Sequence, residues 1–206
     1  MQVWAVVVAG GSGARFGGPK QLAPLGTARV IDHAVAALAS HVDGTVVVVP
    51  RGTDNEELPG DRVVVGGATR SDSVRRGLAA LPDGVELVLV HDGARPLVPS
   101  AVVERVLGAL AGGADGVVPV VPVTDSLRTV DGRPVDRGGF VAVQTPQGFR
   151  TEVLQRAHQH GGEATDDATL VDGVGGRVVH VPGDPGNLKI TVPSDLALAE
   201  VLLHAR

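Results

Sequence analysis

The residues best suited to chemistry in this sequence are two positive side chains that follow a group of glycines near the amino terminus. Gly10, Gly11 and Gly13 come directly after a short apolar segment, and Arg15 and Lys20 follow them. Because glycine has no Cβ atom, such a loop can turn several backbone N–H groups toward an anion, and the two cations add positive charge. The spacing favours a phosphate-binding loop, although the glycines alone would also suit a tight turn between a strand and a helix.

The loop differs from two familiar phosphate-binding motifs. The dinucleotide fingerprint needs a glycine at the position of Phe16, and the second predicted strand runs into Pro50 where an acidic residue is required. The Walker A motif needs Gly-Lys followed by serine or threonine, whereas Lys20 follows a proline and precedes a glutamine. A nicotinamide-dinucleotide site and a P-loop are therefore both disfavoured.

A second candidate group lies in the motif His-Asp-Gly-Ala-Arg-Pro at residues 91–96. Asp92 follows a predicted buried strand, where an unpaired carboxylate would be costly, so it should either pair with Arg95 or face another cation. Mg²⁺ is commonly held by one or two carboxylates together with substrate phosphates, and a single aspartate at a strand end fits that pattern. Asp92 is thus a candidate metal ligand, with a turn stabilised by the Asp92–Arg95 ion pair as the alternative. His91 is interpreted as a packing residue.

The composition indicates a soluble globular protein. With 206 residues, 43% hydrophobic and 20% charged, the chain can bury one core and is interpreted as a single domain. Its apolar runs are far shorter than the roughly 20 residues that span a bilayer, and it lacks the features of a signal peptide, so we expect no membrane contact and a cytoplasmic location. The absence of cysteine excludes disulfides and thiolate nucleophiles. A net charge of −5 and an aromatic content of 2% argue against a nucleic-acid partner.

Alternating strands and helices must position these residues. Strands are predicted over residues 3–9, 45–49, 63–65, 86–90, 116–121, 141–144 and 177–181. Helices are predicted over residues 30–41, 71–81, 102–111, 151–160, 168–172 and 193–204. The alternation indicates an α/β fold: a Rossmann-like, mostly parallel sheet with helices on both faces and ligands at the carboxyl ends of the strands. The glycine loop and Asp92 both follow such strand ends.

The alternation is interrupted in the second half of the chain. Residues 123–137 are polar and centre on Asp131-Gly132, which is typical of a β-hairpin because both residues tolerate positive φ. A two-stranded hairpin is marginally stable by itself, so it should pack against something else. We predict that residues 122–139 form a β-arm of the single domain 1–206 and join two copies into a homodimer; the alternative is a hairpin that packs on its own domain.

Several motifs are similar, in the same order, to those of a known enzyme family. They are AVVVAGGSGARFGGPKQ, GGATRSDSVRRGL, HDGARP, PVTDSL, VDRGGF, QTPQGF, TDDATLV and NLKITVPSDLALAE, and they cover nearly the whole chain. The chain resembles the 2-C-methyl-D-erythritol 4-phosphate cytidylyltransferases of the non-mevalonate isoprenoid pathway. The resemblance implies a nucleotide-diphospho-sugar transferase-like fold with a protruding β-hairpin arm. It also implies that the protein uses Mg²⁺ and transfers a cytidylyl group from CTP to a polyol phosphate, releasing pyrophosphate.

The resemblance further implies roles for individual residues. The catalytic cations are Arg15, Lys20 and Lys189. The CTP-binding residues are Ala9, Gly10, Gly11, Gly13, Gly66, Gly67, Ala68, Ser73 and Asp92, and Asp92 is the metal ligand. The residues that contact the second substrate are Asp92, Arg95, Ser126, Arg137, Thr145 and Lys189, of which Ser126 and Arg137 reach the site of the partner subunit.

Two of these positions depart from the usual pattern of the family. Ala68 stands where an acidic residue is common, but the contact there is largely a main-chain one. Ser126 stands where threonine is usual, so the hydroxyl is kept and the methyl group is lost. Asp166 and Asp167, in the TDD sequence, are interpreted as helix-capping residues.

Two other functions are compatible with the residues themselves. Ribitol 5-phosphate cytidylyltransferases share the fold and many of these motifs, and no single residue excludes ribitol phosphate as the acceptor. A non-catalytic nucleotide-binding dimer belongs to a different class of protein. It would not need Arg15, Lys20, Asp92 and Lys189 together around the α-phosphate, which favours an enzyme.

Overall fold

A central eight-stranded sheet organises the computed structural model, which describes residues 1–11, 13–53, 57–160 and 162–205. In chain order the strands are β1 (Val3–Val8), β2 (Pro24–Leu25), β3 (Ala28–Arg29), β4 (Gly44–Val49), β5 (Arg62–Val65), β6 (Leu87–Asp92), β7 (Gly116–Pro122), β8 (Leu127–Arg128), β9 (Pro134–Val135), β10 (Val141–Val143), β11 (Gln147–Arg150) and β12 (Val178–Pro182). The short pairs β2–β3 and β8–β9 form sheets of their own, and the other strands form the central sheet.

Helices cover both faces of this sheet. In the described part of the chain they are α1 (Val30–Ala36), α2 (Arg70–Ala79), α3 (Ser100–Ala111), α4 (Thr151–Gln159), α5 (Asp167–Gly173) and α6 (Pro193–His204). Because successive side chains of a strand point to opposite faces, the core is divided in two. Odd-numbered residues of β1, β4 and β6 pack against α1 and α3, and even-numbered residues pack against α2, α4 and α5.

The strand order places β1 and β6 side by side in the middle of the sheet. β1 pairs in parallel with β4 on one side and with β6 on the other, and Val8 at its end lies opposite Asp92. β11 runs antiparallel between β6 and β7, and β12 runs parallel to β7 on its far side. The carboxyl ends of β1 and β6 therefore open at the same edge of the sheet, as the sequence predicts for the glycine loop and Asp92.

Most predicted elements are confirmed, but several details differ. The short β2–β3 pair was not predicted. β11 was not expected, and it makes the sheet mixed because it runs against its neighbours. The helix predicted over 30–41 ends at Ala36. Beyond Ala37 the N–H groups bond to carbonyls three residues back, as Leu38 does to Val35 and Ala39 to Ala36. The strand β6 extends to Asp92, two residues beyond the predicted end. Among the described residues, no helix is both long and apolar enough to cross a membrane.

The predicted hairpin is present. Leu127 of β8 lies opposite Val135 of β9, and the N–H of Thr129 donates to the carbonyl oxygen of Arg133 across the turn. Only Gly132 in this turn has positive φ, at 90°. The hairpin side chains are mostly exposed. The treatment of residues 1–206 as one domain with an arm at 122–139 stays a prediction.

The packing of β6 generates a stability prediction. Leu89 is fully buried against α3, so Leu89→Ala should lower the free energy of unfolding by about 2–5 kcal/mol, through lost apolar burial and the cavity left behind. Leu198→Ala makes the same chemical change at an exposed position of α6 and should change stability by no more than about 0.5 kcal/mol. Urea unfolding followed by circular dichroism measures both, and equal losses would contradict the central position of β6.

Candidate active site

The glycine loop is folded back on itself around Gly13. The carbonyl oxygen of Gly13 accepts the N–H groups of Phe16, Gly17 and Gly18 at 2.8, 2.9 and 3.3 Å. Gly13 has φ of +63°, and a Cβ atom there would lie 1.7 Å from the carbonyl oxygen of Gly18. Only glycine can therefore occupy this position. Buried Gln21 reaches back from the other end and donates its Nε2 to the carbonyl oxygen of Gly11 at 3.5 Å.

This loop forms one wall of a cavity of about 480 Å³. The opposite wall is made by the start of α2, and Asp92 and Lys189 close the side between them. Among the residues that the structure describes, no acceptor takes the N–H groups of Gly10, Gly11 or Ala14. These donors are available to an anion in the cavity, which is the arrangement expected of a phosphate-binding loop.

Positive charge converges on the same cavity. The chain has only two lysines, Lys20 and Lys189, and both line it together with Arg15. Burial, followed by the positive charge of Lys189, lowers the pKa of Lys20. Lys189 comes from the other end of the chain and is held there because the N–H of buried Ile190 donates to the carbonyl oxygen of Ala94 at 2.9 Å. The site thus concentrates cations from distant segments.

Asp92 is the acidic counterpart of these cations. Its Oδ2 lies 2.8 Å from Lys189 Nζ and 3.6 Å from Arg95 Nε, and its Oδ1 lies 3.9 Å from Arg70 Nε. Burial by itself would raise the pKa of Asp92, but the three neighbouring cations outweigh it and lower the pKa to about 2. The carboxylate is therefore ionised, and the predicted pairing with Arg95 is present but looser than the contact with Lys189.

Hydrogen bonds of His91 fix the backbone around Asp92. His91 Nε2 lies 3.0 Å from the carbonyl oxygen of Arg95, which can only accept, so Nε2 carries the hydrogen. Nδ1 then accepts the hydroxyl hydrogen of Thr145 at 3.1 Å, and the same Thr145 oxygen accepts the N–H of Asp92 at 3.0 Å. Burial lowers the pKa of His91 to about 4, which keeps the ring neutral in this role. His91 therefore positions the backbone around Asp92 in addition to packing in the core.

A smaller cavity of about 230 Å³ adjoins the first. Arg95 and Thr145 line it, and it shares Arg70, Asp92 and Lys189 with the larger cavity. Arg95 is buried, with Nη1 donating to the carbonyl oxygen of Asn187 at 2.7 Å and Nη2 to that of Val143 at 3.3 Å. The three shared residues therefore stand at the boundary between two spaces.

Comparisons with known proteins match nearly the whole length of the chain. Residues 3–205 match the family model of 2-C-methyl-D-erythritol 4-phosphate cytidylyltransferase. The chain belongs to this family. It is 45% identical to a 2-C-methyl-D-erythritol 4-phosphate cytidylyltransferase of Nocardia farcinica, over 99% of this chain and 95% of that protein. The crystal structure of the enzyme of the same name from Thermus thermophilus superposes with a TM-score of 0.88 at 40% identity, covering 99% of this chain and 100% of that one.

The segment expected to hold the base of CTP has a structural role of its own. Ser73 Oγ accepts the N–H of Gly67 at 3.2 Å and donates to the carbonyl oxygen of Thr69 at 2.9 Å. A Cβ atom on Gly67 would lie 2.1 Å from Cβ of Asp72, so the segment approaches α2 too closely for a side chain. Gly67, Ala68 and Ser73 line the larger cavity of this family member. Gly66 lies outside the lining, and its carbonyl oxygen accepts Arg76 Nη1 at 2.9 Å.

Three other residues expected at the site lie apart from it within one chain. Ser126 and Arg137 are exposed on the arm, and Arg137 donates to the carbonyl oxygen of Thr124. Ala9 is buried in the core, lines neither cavity, and donates its N–H to the carbonyl oxygen of Val48 at 2.7 Å.

The sequence reasoning missed three residues that shape the site. The side-chain amide of buried Gln21 donates to the glycine loop, and the backbone carbonyl oxygen of buried Asn187 accepts Nη1 of Arg95. Single-sequence patterns do not identify such contacts. Arg70 is the first residue of α2 and lines both cavities. A signal for Arg70 was available, because a cation at a helix amino terminus opposes the helix dipole and so needs another reason to be there.

The neutral state of His91 generates a pH prediction. In the unfolded chain histidine titrates near pH 6.5, whereas the pKa of His91 in the folded protein is about 4. Between these values the unfolded state binds the proton more tightly, so the stability due to His91 is complete above pH 6.5 and is lost as the pH falls toward 4. His91→Gln replaces the imidazole with an amide that does not titrate. The stability advantage of the wild type over this variant should therefore shrink by roughly 1 kcal/mol for each unit that the pH falls in this window. Urea unfolding at several pH values measures it, and a pH-independent difference would contradict the neutral, buried ring.

Proposed function

We propose that this chain transfers the cytidylyl group of CTP to 2-C-methyl-D-erythritol 4-phosphate, giving 4-diphosphocytidyl-2-C-methyl-D-erythritol and pyrophosphate. The observation that carries the proposal is the placement of Lys189, Asp92 and Arg70 at the boundary of two adjoining cavities. A transfer between two phosphate-bearing substrates needs such an arrangement, in which each substrate occupies its own space and the reacting groups meet between them.

The residues present suit the chemistry of this reaction. An oxygen of the acceptor phosphate attacks the α-phosphorus of CTP, and the bond from that phosphorus to the bridging oxygen breaks, so pyrophosphate leaves with the electron pair. A phosphate monoester has a second pKa of about 6, so the nucleophile is largely a dianion at neutral pH and needs no general base. The difficulty lies in bringing anions together and stabilising the charge that develops, for which fixed cations and N–H donors are effective.

We assign the larger cavity to CTP and the smaller one to the acceptor. Arg15, Lys20 and the N–H groups of the glycine loop bind the triphosphate, and the segment around Gly67 accepts the base. Arg95 and Thr145 line the acceptor space, and Lys189 at the boundary stabilises charge on the α-phosphate. The support for this assignment is geometric: the triphosphate carries the larger charge, and the larger cavity holds both lysines and the loop N–H groups that no acceptor takes among the described residues.

We also propose Mg²⁺ as the divalent ion and Asp92 as its protein ligand. Among the described residues there is no group of three or more His, Cys, Asp or Glu side chains that could hold a metal ion. Mg²⁺ is ordinarily held by one or two carboxylates plus substrate phosphates, and Asp92 Oδ1, with Arg70 Nε at 3.9 Å, keeps room for such a ligand. The donor set therefore fits an ion that arrives with the nucleotide. When bound, the ion would neutralise charge on the triphosphate.

We further propose that the active site is completed by the arm of a second copy. Ser126 and Arg137 are exposed and line neither cavity within one chain, although the sequence resemblance implies that they contact the substrate. Next to the arm, the apolar side chains of Phe140, Val141 and Val143 are exposed to 53%, 45% and 40%. A partner subunit would cover this apolar surface and bring its own arm to the acceptor space. The cytoplasmic location stays a prediction.

A pyrophosphate-release assay tests the reaction. CTP with 2-C-methyl-D-erythritol 4-phosphate should give the highest kcat/KM among pairings of CTP or UTP with that acceptor or with ribitol 5-phosphate. Lys20→Ala should lower kcat on the order of 100-fold, since one charge-stabilising group of the transition state is lost. Arg177→Ala removes one positive charge from an exposed position just before β12 and should keep wild-type turnover.

Each outcome of this assay decides a separate point. Higher activity with ribitol 5-phosphate would make that compound the assigned acceptor, and the type of reaction would stay the same. Equal kcat/KM for CTP and UTP would remove Gly67 and its neighbours from the base site. Wild-type turnover in Lys20→Ala would contradict the role of the glycine loop, and no pyrophosphate release from any pairing would contradict catalysis altogether.

Subunit mixing tests the arm. Lys20→Ala and Arg137→Ala chains are each expected to be nearly inactive, and they are combined in equal amounts under conditions of subunit exchange. If the arm acts in trans, each mixed dimer contains one site with both defects and one site with neither, so about a quarter of all sites regain activity at random mixing. If the arm acts within its own chain, every site keeps one defect. Mass spectrometry confirms that subunits have exchanged. If activity then stays at the parental level, the shared site is contradicted.

A further inference from the structure

A series of contacts between largely buried side chains connects α4 and α5 to Asp92. His158 of α4 places Nε2 3.0 Å from Oδ1 of Asp167, and Oδ2 of Asp167 lies 2.7 Å from Nη1 of Arg70. Arg70 in turn places Nε 3.9 Å from Oδ1 of Asp92. The side chains of His158 and Asp167 are exposed to only 3% and 1%, so this part of the series lies away from solvent.

The capping interpretation accounts for only one of the two aspartates at the start of α5. Asp166 is the N-cap of α5 and accepts the N–H of Thr169 at 3.0 Å. Asp167 directs its carboxylate to Arg70 and His158 instead. A fully buried carboxylate is costly unless it is paired, so Asp167 depends on these two partners.

Arg70 depends on Asp167 in the same way. As the first residue of α2, it places a positive charge at the helix end where anions are favoured, and its side chain is only 25% exposed. Burial would lower the pKa of Arg70, but the charges of Asp167 and Asp92 outweigh it and raise the pKa. The guanidinium group of Arg70 is held between the carboxylates of Asp167 and Asp92. The shorter contact is with Asp167, which lines neither cavity.

The two oxygens of Asp92 are consequently fixed from different directions. Lys189 and Arg95 lie near Oδ2, and Arg70 lies near Oδ1. Without Asp167, Arg70 would be free to close the 3.9 Å gap and form a direct ion pair with Asp92. That movement would turn the carboxylate and withdraw Oδ1 from the boundary of the two cavities.

We propose that Arg70 is a positioning residue for the transfer reaction and that Asp167, braced by His158, holds Arg70 at the distance that leaves Asp92 Oδ1 available. The inference rests on the proposed function for its kinetic consequence. It adds a role for three side chains that the sequence motifs did not identify as part of the site, and two of them, Asp167 and His158, line neither of its two cavities.

A double-mutant cycle on turnover tests the proposal. Arg70→Met and Asp167→Asn should each lower kcat by roughly 10–100-fold, the usual effect of removing a group that orients an active-site ligand. The KM for CTP should change much less, because the glycine loop and the base segment keep their contacts. Since both substitutions act through the same contact, the double variant should be no slower than Arg70→Met. If the double variant lost the product of the two separate losses in kcat, or if either single variant kept wild-type kcat, the proposal would be overturned.

Stability controls separate positioning from folding. Asp115 lies just before the first residue of β7, and its Oδ1 is 3.8 Å from Nε of Arg150. Asp115→Asn makes the same chemical change as Asp167→Asn in this other ion pair and should keep wild-type kcat. Urea unfolding of all variants shows how much protein is folded in the assay. A loss of activity that follows only the folded fraction would show that the buried pair serves stability alone, and would overturn the proposal.

A crystal structure of the Asp167→Asn variant gives a readout that needs no activity. We expect Arg70 to leave residue 167 and to approach Asp92 within hydrogen-bonding distance, with the carboxylate turned. An unchanged Arg70–Asp92 geometry would overturn the positioning role whatever the enzyme does. If the wild type released no pyrophosphate with any substrate pair, the proposed function would fail, and this structure would still decide whether Asp167 positions Arg70 and Asp92.

Discussion

One buried carboxylate makes the positive charge of this site possible. Arg70, Arg95 and Lys189 come from separate segments, and like charges brought into one partly buried space repel each other. Asp92 lies within 4 Å of all three and offsets that repulsion. It can do so because β6 is buried between β1 and β11, and because its N–H is tied to Thr145. The rigid centre of the sheet thus fixes the point around which the ends of long cationic side chains are arranged.

The charge balance around Asp92 still favours an incoming anion. Arg15, Lys20, Arg70 and Lys189 line the larger cavity, where Asp92 is the only acidic residue among the described lining. The lowered pKa of Lys20 reflects the same imbalance, since burial and Lys189 both disfavour its charged form. A polyphosphate would relieve this repulsion when it binds. Cations that are already in place need little rearrangement as charge develops, which is the condition under which electrostatic stabilisation is most effective.

The sequence predicts the fold and the centre of the site well, because both depend on local patterns. Apolar runs mark the strands β1, β4 and β6, and glycines mark the loop that follows β1. β11 was missed because Gln-Gly-Phe-Arg is short and lacks a strand pattern, and its place is set by pairing with two distant strands. Arg70 and Asp167 were missed as a pair for the same reason. Nothing in the local sequence indicates that residues nearly a hundred positions apart share a hydrogen-bonding distance.

The topology explains why the chemistry lies where it does. From β1 the chain moves outward to β4 and β5 and then returns to place β6 on the other side of β1. Connections leave β1 and β6 in opposite directions at this reversal, and a crevice opens between their carboxyl ends, where ligands bind in open α/β sheets. The glycine loop occupies one side of the crevice and Asp92 the other. Later segments of the chain complete the site: Lys189 adds positive charge, and Asp167 contacts Arg70. The position of the site is therefore a property of the sheet, whereas its selectivity depends on side chains brought in from later elements.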